Sequence, residues 1–266
     1  MYGIEYTRPT VTLLHASPLV NAELAGRVCY DSFGNSEHKQ VQEFDGTPIE
    51  DVEHSELLDS LCHVYHHMSI AEHANLTYLI KGTSRGVLQE HARHRIQAIS
   101  VRSTRYTMSS VINAFIASNS VENFIEVILS LDMFVVTGKY AELEARCIYD
   151  RLVFQYNLLG EDEFFKIALS KDALTGGAMV LLNSIDRFEA LQLSKKKRNV
   201  GDAFKHLVTD NWKVDMVVTM NLRALKNYFQ LRDSGSAYFQ IRWLAEEMKK
   251  ATPKKYLDLI VKNKDK

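Results

Sequence analysis

Apolar residues recur along this chain at two spacings, and the changes from one to the other mark out its elements. Residues 10–14, Thr-Val-Thr-Leu-Leu, predict a strand, and Asn21 to Tyr30 predicts a short helix with Leu24 and Val28 on one face. From Ser55 onward Leu57, Leu58, Leu61, Tyr65 and Met68 return at helical spacing, which predicts one buried stripe. Residues 74–81 alternate as a strand does. Gly82 is expected to break that strand, and Thr83 or Ser84 to cap a helix carrying Val87, Leu88, His91 and Ala92, with Arg93 near its end. Beyond it Ile96, Ala98 and Ser100 lack helical periodicity, so an extended or looped segment is expected. Helices are predicted again over 123–134 and 142–159, the second closed by Gly160. In the run from Met220 to Arg232, Leu222, Leu225 and Phe229 share a buried helical face while Arg223 and Asn227, four apart, point together from another. Asp233-Ser234-Gly235 ends it, and Ile241, Leu244, Ala245 and Met248 mark one more amphipathic helix. Residues 33–50 read as loop, Thr175-Gly176-Gly177 as a turn without the phosphate-loop pattern, and Lys195-Lys196-Lys197-Arg198 as a solvated loop.

At 266 residues and 46% apolar the chain can bury a sizeable core, and neither a repeat nor a long linker divides it, so a single domain over 1–266 is expected. Lysine and arginine total 32 against 33 acidic residues, which gives no long-range attraction to nucleic acid or to an anionic membrane. Recognition of an anion has to be local. The three cysteines, Cys29, Cys62 and Cys147, are odd in number and lack Cys-x-x-Cys spacing, against a disulfide framework and in keeping with a reducing cytoplasm. The N-terminal stretch, with Glu5, Arg8, His15 and Pro18, predicts neither a signal peptide nor a membrane span.

Local anion chemistry concentrates between Gln89 and Tyr106, where eighteen residues hold four arginines and two histidines. A guanidinium is planar, always charged, and matches phosphate or carboxylate oxygens in pairs. A merely solvated basic stretch would be less apolar than this one. A second cluster, His63, His66, His67, Glu72 and His73, invites a metal reading because His63 and His67 sit four apart, on one face of a helix. The His-Glu-x-x-His order is absent, no metal is expected, and a metal-dependent nucleotide hydrolase on His63, His67 and His73 is kept as the rival function. An RNA-binding module built on the arginines is weakened by the near-zero net charge and the lack of an RNA-recognition aromatic motif.

Arg93-His94-Arg95, followed by Ser103 and then Arg105-Tyr106, resembles the signature of the flavin-dependent thymidylate synthases. His67-Met68-Ser69-Ile70-Ala71-Glu72-His73 is similar to that family's His-x-Ser/Thr-x-x-Glu-His run, and Asn221, Arg223, Asn227 and Arg232 match its C-terminal positions. Arg27-Val28-Cys29-Tyr30 resembles its early segment. The motif-bearing segments are 67–106 and 205–232. The chain departs where the signature's first serine falls on Ala98, an asparagine on Ser100, a frequently acidic residue on Val101 and a glutamine on Glu90. The resemblance implies an α+β fold, one domain with a small central sheet flanked by helices. It implies reductive methylation of deoxyuridine monophosphate (dUMP) to thymidylate (dTMP), with methylenetetrahydrofolate as carbon donor and FAD reduced by NADPH. No Gly-x-Gly-x-x-Gly follows a strand, so FAD would be held by side chains. By resemblance these are Ser69, Arg93, His94, Arg95, Val101, Asn221, Arg223 and Asn227. Glu90, Arg93, Ser103, Thr104, Arg105, Arg232 and Lys205, the last by a gap-free count back from Asn221, would take the nucleotide. Arg232 matches the arginine thought to polarise uracil at N3; its competing reading is a helix-end arginine paired with Asp233 or a carbonyl. No cysteine stands in the Pro-Cys context of the classical nucleophile. A homotetramer with shared active sites, cytoplasmic and free of nucleic acid and membrane, is the expected setting.

Overall fold

The structure, a computed structural model, describes residues 3–46, 51–168 and 200–261; the turn at 175–177 and the basic run at 195–198 lie outside the described residues. The fold is α+β. Chain contacts gather into two compact units, one made from residues 8–101 with the segment from 214 onward, the other from the first seven residues with 102–213.

The first unit is built on a four-stranded sheet in the order β1-β2-β4-β3, with β1 at Thr10–Ala16, β2 at Asn75–Ser84, β3 at Ala98–Val101 and β4 at Lys213–Asn221. β1 and β2 pair antiparallel from Thr10↔Lys81 to Ala16↔Leu76, and β3 and β4 from Ala98↔Thr219 to Val101↔Met216. Between the central strands, Thr77 bonds Thr219 through their hydroxyls (2.9 Å) and the Gly82 N–H donates to the Asp215 carboxylate (2.9 Å), an antiparallel sense as well. Alternation puts Leu76, Tyr78 and Ile80 of β2 and Val214, Met216, Val218 and Met220 of β4 into the core. Helices Val20–Tyr30, Leu222–Arg232, Phe239–Ala251 and Lys254–Ile260 add to that core, as do Val41, Leu58, Leu61, Ile70 and Val87 from shorter elements.

In the second unit, helices Thr104–Ala117, Val121–Ser130 and Gly138–Leu159 enclose a separate core with Phe124, Ile128, Ile148, Leu152, Phe204 and Trp212 fully buried. Gly160, at φ 79°, closes the long helix as the sequence predicts.

Several local expectations are corrected. The Val20–Tyr30 helix buries Val20, Ala22, Glu23, Gly26 and Arg27, while Val28 is 64% exposed: a buried Glu23–Arg27 pair, closed by the Ser36 hydroxyl on Glu23 at 2.6 Å, turns the inner face away from Val28. Ser55 does cap a helix, accepting from the Leu58 N–H, but the α-turns stop at Asp59 and a π-turn runs over Ser60–Val64. That wider turn breaks the 3.6-residue period, so Tyr65 falls on the surface instead of in the stripe. Gly82 does not end β2, because its φ of 71° is accommodated within the strand, which runs on to Ser84. The predicted helix over 123–134 ends at Ser130, and Phe134 makes an antiparallel bridge to Trp212 instead. Residues 33–50, read as loop, include a 3₁₀ turn at Phe33–Asn35 and a helical turn at Lys39–Gln42 that buries Val41.

Candidate active site

Two strand-to-helix junctions of the sheet unit carry the motif residues. At the end of β2 the Ser84 hydroxyl accepts from the Val87 N–H and starts the helix Arg85–His91, after which Arg93-His94-Arg95 leads into β3. At the end of β4 Asn221 Oδ1 accepts from the Ala224 N–H at 2.8 Å and starts the helix Leu222–Arg232. Leu222, Leu225, Tyr228 and Phe229 face the core, leaving Arg223 and Asn227 exposed, as their spacing predicts. At 1.5 Å per residue this helix separates Arg223 from Arg232 by about 14 Å. Each arginine has its own carboxylate.

Arg232 is the more constrained. Its Nε donates to His94 Nε2 at 2.9 Å, Nη1 to Glu90 Oε2 at 2.9 Å and Nη2 to the Glu90 carbonyl at 3.4 Å, with only 21% of the side chain exposed. Asp233 does not take it, because that carboxylate is bound by Lys249. A guanidinium only donates, so His94 Nε2 must be the lone-pair nitrogen and the proton must sit on Nδ1. Burial, helped by the Arg232 charge, lowers the His94 pKa and favours this neutral form. Behind it lies a buried pair that the sequence reading did not assign to the site: Tyr228 O–H and His91 Nδ1 are 3.2 Å apart, and the Tyr228 ring meets both His91 (5.1 Å) and His94 (4.7 Å) edge to face. Burial first, then the neighbouring His94, pushes the His91 pKa down to about 4. The signal available was spacing: Tyr228 and Arg232 are four apart on one helix, and His91 and His94 three apart at the end of another.

Arg223 Nη1 meets Glu72 Oε1 at 2.6 Å in an exposed pair. Ser69 is exposed beside the short 3₁₀ turn Ile70–His73, and Lys226 Nζ lies 3.5 Å from Met68 Sδ. Arg93 and Arg95 are exposed, and their guanidinium groups make no hydrogen bond or ion pair among the described residues. Val101 is half-buried on the edge strand β3.

The remaining expected residues lie in the helical unit. Ser103 caps the Thr104–Ala117 helix by accepting from the Arg105 N–H at 3.3 Å, and Thr104 is buried beneath it. Arg105 is paired with Asp202, whose carboxyl is held below its usual range chiefly by that hydrogen bond, with a smaller share from the Lys205 charge. Lys205 itself is exposed. This helix and Asp202 were missed because the hydroxyls after Ser103 resemble a loop and Asp202 is 97 residues from its partner.

The hydrolase reading loses its premise here. His63 lies in the π-turn with Nε2 on the Asp258 carbonyl at 2.7 Å, His66 adopts φ 56°, and His67 sits beyond the helix with Nδ1 3.3 Å from the Tyr30 hydroxyl, so His63 and His67 do not share a helical face. Among the described residues no cluster of three or more His, Cys, Asp or Glu side chains is arranged to hold a metal ion. None of the helices described is long and apolar enough to cross a membrane.

Cys62 is buried, and burial raises its pKa to about 11, far from a reactive thiolate, whereas Cys29 and Cys147 are exposed. Replacing all three by serine or alanine is expected to leave turnover within a few-fold of wild type; loss of turnover in a variant that still folds would assign a cysteine to the chemistry.

The family model described as thymidylate synthase complementing protein matches residues 12–256. A flavin-dependent thymidylate synthase from Wolinella succinogenes is 30% identical over 256 residues, covering 96% of this chain and 99% of its own. One from Campylobacter jejuni is 28% identical over 246 residues, 92% of this chain and 93% of its own. Among solved structures, thymidylate synthase X from Helicobacter pylori with FAD and dUMP superimposes with a TM-score of 0.60 at 24% identity, over 95% of this chain and 97% of that one.

Proposed function

We propose, from the premise that this chain belongs to the thymidylate synthase complementing protein family, that it is a flavin-dependent thymidylate synthase whose carbon donor is methylenetetrahydrofolate and whose reductant is NADPH. The reaction is methylation of dUMP at C5 to dTMP. What carries this reading is the fixed Arg232, held by His94 and Glu90, with the exposed Arg93 and Arg95 flanking His94 in the chain. Uracil C5 is a weak nucleophile, and a preorganised guanidinium stabilises the negative charge that must develop on the ring for C5 to attack. An enzyme that does this needs no cysteine adduct at C6.

The donor set also fits FAD. A diphosphate without a glycine-rich turn needs side-chain cations, and the sheet unit presents Arg93, Arg95 and Arg223 on its surface. Bound FAD would supply the electrons that reduce the transferred carbon. In this reading Ser69, Arg93, His94, Arg95, Val101, Asn221, Arg223 and Asn227 hold FAD, while Glu90, Arg93, Ser103, Thr104, Arg105, Lys205 and Arg232 hold the nucleotide. Residues 1–266 then act as one synthase domain, in a cytoplasmic homotetramer with shared active sites.

The test is a flavin absorption spectrum of the purified protein, followed by NADPH-dependent conversion of dUMP to dTMP in the presence of methylenetetrahydrofolate; a colourless protein that forms no dTMP when supplied with FAD would refute the reading. Arg223 offers a sharper check. Its exposed partner Glu72 holds it weakly, since such pairs contribute little, so the guanidinium is available to a phosphate. Arg223→Ala is expected to weaken FAD binding about tenfold or more, the usual scale for one charge-assisted hydrogen bond. Unchanged affinity in a fluorescence titration would remove Arg223 from the FAD site.

A further inference from the structure

Arg105 is the second residue of the helix Thr104–Ala117, at the end where a helix favours an anion. An anion is already there. The short helix Val200–Ala203 packs against Thr104–Ala117 and brings the Asp202 carboxylate onto the Arg105 guanidinium, Nη2 donating to Oδ2. Lys205 is a second cation whose charge acts on the same carboxylate. The contact uses one of the five N–H groups of the guanidinium, and among the described residues no other acceptor takes the rest. Both side chains are open to solvent, Arg105 at 53% exposure and Asp202 at 50%. Arg232, by contrast, gives three donors to partly buried acceptors. An exposed pair contributes little to stability, so the fold does not account for a carboxylate set between two cations.

We infer that Asp202 is a placeholder for the phosphate of the nucleotide, occupying Arg105 until dUMP binds and displaces it. This rests on the reading of Arg105 and Lys205 as nucleotide contacts and goes beyond it, since it names the group that must leave before the phosphate can arrive. A carboxylate suits the part. Its oxygens match a guanidinium as phosphate oxygens do, but it carries a single negative charge where a phosphate monoester carries about 1.5 to 2 near neutral pH. The exchange favours the incoming phosphate, and the like charge of Asp202 then turns that side chain out to solvent. The effect is a filter on anions. The cost of breaking the pair falls on every anion alike, but free inorganic phosphate has no other contact to offset it, while a nucleotide has its base and sugar.

The experiment is equilibrium binding of dUMP to the FAD-loaded full chain, wild type, Asp202→Asn and Asp202→Ala, with deoxyuridine and inorganic phosphate measured as competitors. Both variants are expected to bind dUMP about three- to tenfold more tightly, the scale of releasing an exposed ion pair and removing one repelling charge. Inorganic phosphate is expected to compete better by a similar factor. Deoxyuridine, which lacks the phosphate, is expected to bind all three proteins equally. The phosphate-specific gain is the readout, because losing a merely structural aspartate would weaken every ligand or leave all of them unchanged. Unchanged or weaker dUMP binding in the variants, a gain confined to the amide, or an equal gain for deoxyuridine overturns the inference. A wild-type protein that binds no dUMP is a separate result: it refutes the nucleotide reading, and the placeholder falls with it.

Discussion

Arg232→Ala is expected to keep its fold and its FAD while single-turnover conversion of dUMP by prereduced enzyme, at saturating nucleotide, falls about 10²–10³-fold, the cost of losing one preorganised electrostatic partner. The geometry makes the loss that large. Three acceptors fix the guanidinium before any ligand arrives, so no reorganisation is required when charge develops. Both side-chain neighbours tolerate the truncation: Glu90 is exposed enough to be solvated, and His94 is neutral. Arg232→Lys is expected to recover only part of the rate, because an ammonium cannot reach His94 and Glu90 in the same plane. A rate near wild type in Arg232→Ala would take this residue out of the mechanism. Saturating nucleotide matters, since it separates weaker binding from slower chemistry.

Acid should unfold the protein early, and His91 is the reason. Its pKa falls from 6.5 in the unfolded chain to about 4 in the folded one, so between those values the unfolded state takes up a proton that the folded state refuses. The contribution of His91 to stability is therefore unchanged above about pH 6.5 and declines as pH falls towards 4. At 1.36 kcal/mol per pH unit, the decline attributable to this one side chain approaches about 3 kcal/mol. His94, whose pKa is also lowered by burial, acts in the same direction. Urea midpoints measured across this range should fall steeply for wild type and less for the double variant His91→Leu, Tyr228→Phe, which removes both members of the buried pair and strands neither. Parallel pH dependence in the two proteins would mean that other groups drive the acid transition.

The elements were legible wherever the period of the apolar residues had no competitor. The helix Leu222–Arg232 matches because Leu222, Leu225 and Phe229 follow one face without interruption, and β2 because its alternation holds over Leu76, Tyr78 and Ile80. Failure came where a polar group was buried or the turn width changed. Glu23 and Arg27 satisfy each other inside the protein, which apolar spacing does not register, and the π-turn at Ser60–Val64 shifts the phase of everything after it. At the site, the motifs located Arg232, His94 and Glu90, yet not that the three touch: Arg232 and Glu90 are 142 residues apart. Tyr228 and His91 were unreadable for a related reason. Each fits an ordinary buried helix face, and only the folded chain shows that their polar atoms meet.

Asn221 spends only half of its side chain on the fold, and the division follows from its being an amide. Its oxygen is committed to the Ala224 N–H, which starts the helix bearing Arg223 and Arg232. Aspartate or serine would cap that helix about as well. Only asparagine, once its oxygen is spent on the backbone, still holds an NH₂ with two donors, and among the described residues nothing takes them. Aspartate would add a negative charge beside a cationic helix face, and serine would be too short to reach beyond its own backbone. Folding draws on one end of this residue and leaves the other to the FAD contact proposed above, so a substitution there can leave the scaffold whole and still silence one of its hands.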